Sequence, residues 1–228
     1  MYKVITHTIK EEHFTHPATV KMAMSLGHKT EQAVTPESPF TSPAAIEYIQ
    51  GVKFAMTRYN SALRAYLVGT MMGTEDTATL KNDLEKWAAE VGDATFTGYY
   101  PIATSIPIRN DFVDLTKSLE DGIVAIKNKQ SASDYQTAVA NKIDALATKL
   151  SFVNRFNWPK QAIVDILNEY QNNVFAQATA RLNKDWTGDL AAYDKANQTL
   201  ITGQPNGAVS LADLLSKGVV VQYQSKFH

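Results

Sequence analysis

The stretch from Pro159 to Leu200 constrains this chain most. Apolar or aromatic residues recur at Ile163, Leu167, Tyr170, Val174, Ala178, Leu182, Trp186, Leu190, Tyr193 and Leu200. The steps are mostly three or four residues, the period of one helix face buried against neighbours. Asn157 and Pro159 supply a start signal, a side-chain acceptor followed by a ring that fits the first turn. Unbroken, such a helix would be roughly 60 Å long at about 1.5 Å per residue. A break between Asn183 and Asp189, where Gly188 lies, would instead give two antiparallel helices.

A second stretch has the same character. Ser42 and Pro43 open it, and Ala45, Ile49, Val52, Met56, Tyr59, Leu63, Tyr66 and Thr70 alternate in fours and threes. That is a heptad seam, and Ile46, Leu67 and Met71 widen it, which suits a bundle better than a two-stranded coil. Gly73 ends this helix. The next is capped by Thr74 or Asp76 and runs to Val91, with Leu80, Leu84, Trp87 and Val91 on one face. Another resumes at about Asn110 with Phe112, Leu115, Leu119, Ile123 and Ile126 inward. The polar turn KNKQSAS then leads to a helix over Ser133–Val153 that buries Tyr135, Val139, Ile143, Leu146, Leu150 and Val153. Turns this short imply antiparallel neighbours.

The flanks look different. Tyr2 to Phe14 is rich in β-branched and aromatic residues and predicts a strand or extended arm. A short helix follows Pro17 and ends near Gly27, and residues 28–42 form a Pro-containing linker. Beyond Thr202 the sequence predicts a turn at GQPNG, a short helix over Ser210–Ser216 closed by Gly218, and a strand-like VVVQYQSKF that could pair with the first arm. The expected fold is therefore all-α, an up-and-down bundle of five or six main helices with short extended segments at both termini. As one domain it divides into an arm and linker (1–42), a bundle core (43–203) and a short helix with an extended tail (204–228).

Composition narrows the function classes. The 228 residues are 44% hydrophobic and 20% charged, with net charge −1. These values fit a globular protein and give no global attraction to nucleic acid. With no cysteine, thiolate catalysis, disulfides and cysteine-ligated metals are excluded. No run approaches the length of a membrane-spanning helix. MYKVITHTIK does not read as a signal peptide, so the cytoplasm is the default location, or an exported one if a signal has been removed.

Two groups of residues could carry a function. His7, Glu11, His13 and His16 are the residue types that bind zinc or iron, although their spacing matches no established motif. No other cofactor is implied. No Glu-x-x-His, nucleotide-binding glycine pattern or nucleophile elbow occurs. The second group is Phe96, Tyr99, Tyr100, Ile102 and Ile106, in the segment DATFTGYYPIATSIPI. Its Gly98, Pro101 and Pro107 predict a loop, and loops held by rigid scaffolds carry binding residues. The same side chains would alternatively seal one end of the bundle. The sequence expectation is a scaffold that binds a protein partner or itself through this segment, with metal or small-ligand binding at the histidines as the alternative.

Overall fold

Ser42 accepts a hydrogen bond from the amide of Ala45 at 3.2 Å, and Pro43 fits the first turn behind it. This cap starts α1 (Pro43–Met72), which runs for 30 residues. The computed structural model describes residues 38–131 and 133–228. After α1 come α2 (Thr77–Phe96), α3 (Ile102–Lys127), α4 (Ser133–Val153), α5 (Lys160–Leu182), α6 (Trp186–Asn197) and α7 (Leu211–Gln222). A π-helical turn, Gln198–Thr202, extends α6, and a 3-10 turn, Gln224–Lys226, follows α7. Consecutive helices from α1 to α6 pack on one another, as an up-and-down bundle requires.

The hub is α1. It packs against α2, α3, α5, α6, the π-helical turn and α7. Every seam residue from Ala45 to Thr70 is buried except Ile49, which is half-buried, and Ala55, Ala62, Leu67 and Gly69 widen the buried face. Neighbours on several sides are why the stripe had to exceed a two-residue heptad seam. The packed core leaves a void of about 20 Å³ beside Tyr59 and Tyr170, room for a single water rather than a ligand.

The stretch 159–200 is broken. Asn183 ends α5, and Lys184 takes the left-handed conformation at φ 59°. The Lys184 amide bonds to Arg181 O at 3.1 Å and the Asp185 amide to Ala180 O at 2.8 Å. This is a Schellman closure with lysine where glycine is usual. Asp185 then caps α6 by accepting from the Gly188 amide at 2.9 Å. The interruption shifts the helical phase. In α6 the buried residues are Asp189, Ala192 and Ala196, whereas Trp186 and Leu190, expected to face inward, are exposed.

Three further expectations change. Helix α2 continues to Phe96 and α3 begins at Ile102, so the loop expected over 93–108 shrinks to residues 97–101. Pro107 lies inside α3, near enough to its start that most of the helix is unaffected by the missing N–H. The segment from Val219 to Phe227 is not a strand. Val219 and Val220 are buried in α7, which continues through Gly218 to Gln222. Alternation over so few residues could not separate a strand from a buried helix end. The helix of the C-terminal segment packs into the core, where Leu211, Ala212, Leu215 and Val219 are fully enclosed. The predicted arm at Tyr2–Phe14 and its pairing lie outside the described residues. Among the described residues no helix is long and apolar enough to cross a membrane.

Candidate functional site

The residues proposed from the sequence, Phe96 to Ile106, gather at one end of the bundle but divide into two groups. Phe96 closes α2 and is completely buried, its ring edge-on to Trp158 at 5.7 Å and 6.4 Å from Phe112. Tyr100 is buried beside it, 5.8 Å from both Phe96 and Trp158, and its hydroxyl donates to Gln222 of α7. Burial pushes the Tyr100 hydroxyl far above its ordinary range, so it remains a proton donor. These two side chains seal the bundle.

Tyr99 occupies the rim. It lies 4.8 Å from Tyr48 of α1, whose hydroxyl donates to Thr95 O at 2.7 Å. Tyr99 also stacks on Phe227, which is itself buried, at 5.2 Å with the rings 12° apart. Lys226 donates to Gly98 O at 2.8 Å and lies 5.4 Å above the rings of both Tyr99 and Tyr223. Gly98 has φ 87°, which aims that turn's backbone in a way other residues rarely adopt. Of the segment 224–228 only Phe227 is buried. Enclosing one phenylalanine contributes roughly 1.5–3 kcal/mol, and a stacked ring pair about 1 kcal/mol more. The segment is therefore held less firmly than α7.

Ile102 and Ile106 belong to neither arrangement. They lie on the first turns of α3, where Ile102 is 74% exposed and Ile106 also faces solvent. Beside them is a groove of about 360 Å³ between the start of α3 and the end of α4. Ala103, Thr104, Pro107 and Ile108 form one wall, and Thr148, Lys149, Phe152 and Val153 the other. Phe152 is 87% exposed. Sequence reading missed Phe152, yet a signal existed. It falls outside the stripe Val139, Ile143, Leu146, Leu150, Val153, so its helix position already assigned a large apolar ring to solvent.

Comparison with protein-family models, curated proteins and solved structures finds no match for this chain.

Among the described residues, two buried carboxylates, Asp189 and Glu120, are paired with basic side chains elsewhere in the bundle. Asp189, 2% exposed, receives two hydrogen bonds from Arg64 and two from Arg181, and Gln177 also accepts from Arg64 at 3.2 Å. Burial alone raises the Asp189 carboxyl, but hydrogen bonds and charge from Arg64, then Arg181, outweigh it and hold the pKa below the ordinary value. Trp186 lies over Arg181, and Tyr193 over Arg64. In the second cluster Glu120 of α3 is 1% exposed, its partner Lys81 of α2 at 3.0 Å. Both carboxylate oxygens of Glu120 are buried without a hydrogen-bond partner, so the Lys81 contact acts as an ion pair. Burial raises the Glu120 pKa against the opposing pull of Lys81. Nearby, Tyr59 joins Thr116 at 3.0 Å, and its hydroxyl is pushed up to about 12, chiefly by burial.

His7, Glu11, His13 and His16 lie outside the described residues. Among the described residues no group of three or more His, Asp or Glu is placed to hold a metal ion.

Proposed function

We propose that this protein is a helical-bundle scaffold that binds a protein partner through the α3–α4 groove. One observation carries the reading: Phe152 of α4 lines a groove whose other wall is the first turns of α3, and on those same turns Ile102 and Ile106, outside the groove lining, also hold large apolar side chains in solvent. Single exposed apolar residues are common, but an exposed aromatic ring in a groove, with further exposed apolar side chains on the adjoining helix turns, supports an interaction surface. The groove walls belong to helices whose other faces are locked in the core, so the surface is rigid before binding and loses little entropy on complex formation. Aromatic anchors in such positions carry a large share of binding energy.

The test uses Ile102→Ser/Phe152→Ser in the full chain. Both positions are exposed, so the variant should keep its helical circular dichroism and melting temperature. Proteins captured from the native source by the wild type should be lost from the variant. An identical set captured by both, with the fold intact, removes this reading.

A further inference from the structure

We propose that Tyr48, Gly98 and Tyr99 form a second binding surface, specific for a peptide with a lysine immediately followed by an aromatic residue. In the free protein the chain's own Lys226–Phe227 fills it as a displaceable strap. This surface is separate from the α3–α4 groove and does not depend on the function proposed for that groove.

The occupant's chemistry is visible in the molecule. The Phe227 ring stacks on Tyr99 at 5.2 Å and tilts against Tyr48 at 5.4 Å, so the surface is a slot for one flat ring. The Lys226 ammonium meets the Gly98 carbonyl at 2.8 Å and the face of Tyr99 at 5.4 Å, while the second ring at 5.4 Å, Tyr223, belongs to the end of α7 and not to the surface. A carbonyl and an aromatic face together select a cation. Specificity thus comes from two adjacent side chains of opposite character, the pattern of short peptide motifs.

The strap is built to leave. Gln224, Ser225 and Lys226 are exposed, and Phe227 is its one buried side chain. Its backbone closure is one 3-10 turn, with Lys226 N–H to Tyr223 O at 2.8 Å and Phe227 N–H to Gln224 O at 3.0 Å. By contrast α7 is anchored by Leu211, Leu215, Val219 and Val220. Segments with few buried contacts open independently of the rest of a fold. Opening uncovers Tyr48 and Tyr99 while Phe96, Tyr100 and Trp158 keep the core sealed. A tethered occupant competes at a high effective concentration, so the strap weakens binding of any outside peptide until it is displaced.

The experiment compares full-length wild type with Phe227→Ala, using a fluorescent synthetic peptide that carries residues 223–228. The expected result is saturable binding to Phe227→Ala at least tenfold tighter than to wild type, lost when Tyr99→Ala is added. Equal affinity of wild type and a folded Phe227→Ala overturns the proposal, as does binding that survives Tyr99→Ala. Should Phe227→Ala not fold, hydrogen exchange in the wild type decides. Amides of Lys226 and Phe227 exchanging at least a hundredfold faster than those of Val219 and Val220 support a detachable strap. Exchange as slow as in α7 overturns it.

Discussion

Arg64 of α1 grips the Asp189 carboxylate of α6 across 125 residues of sequence with a two-pronged contact, one prong at 2.7 Å. Arg181 holds the same carboxylate from α5 at 2.8 Å. Three helices are thereby joined at a buried charge. Asp189→Ala leaves two partly buried guanidiniums without their anion and should cost about 3–5 kcal/mol, read from urea denaturation. The pH dependence has a defined sign. The folded-state pKa is depressed, so the stabilisation is complete above the ordinary 3.8 and is lost as pH falls through the folded value. Asp189→Asn should therefore show a smaller loss of stability than wild type as pH falls from above 3.8 down through the folded value.

Glu120 predicts the opposite slope. Its folded pKa is raised above the ordinary 4.5, so its contribution is most favourable below 4.5 and declines as pH rises through the folded value. Glu120→Gln removes the buried charge, while its partner Lys81 is 44% exposed on its side chain and can hydrate. The variant should equal or exceed wild type by about 1 kcal/mol at pH 7, with the difference shrinking toward pH 4. A large loss at pH 7 would show that the Lys81 pair outweighs desolvation.

Lys184 tests the closure of α5. Its φ of 59° is a conformation that glycine adopts without the β-carbon penalty. Lys184→Gly should raise stability by about 0.5–1 kcal/mol, measured as a higher denaturation midpoint. Lys129, at φ 56° after α3, should respond in the same direction.

Gly122 tests the contact between α3 and α5. A β-carbon there would fall 2.6 Å from Cε1 of Phe175, which is itself buried. Gly122→Ala should destabilise by about 1–3 kcal/mol. Phe175→Leu in the same chain should recover part of that loss. Purely additive losses in the double variant would mean that the two sites do not share this space.

Much of the architecture was legible because burial on a helix repeats every three or four residues whatever its neighbours are. The α1 seam and the stripes of α3 and α4 could be assigned from spacing alone. The site was legible only in part. Phe96, Tyr99, Tyr100, Ile102 and Ile106 stand out in the sequence as an unusual apolar concentration. Yet the spacing could not tell that Phe96 and Tyr100 face the core while Ile102 and Ile106 face solvent. Gly98, Pro101 and Pro107 also suggested a longer loop than exists, because proline near a helix start is tolerated.

By itself the sequence determined a helical bundle, its main turns and the absence of cysteine chemistry. These follow from local periodicity and composition, which each segment carries independently of the others. Tertiary structure decided which helix is central, where the 159–200 stretch breaks, and that Trp186 lies outside while Asp189 lies inside. It also decided that Phe227 returns to Tyr99. The break is closed by local hydrogen bonds around Lys184, but the inward Asp189 and the returning Phe227 depend on partners far along the chain, Arg64 for the one and Tyr48 for the other. Periodicity records that a residue is buried or exposed and carries no information on what it meets.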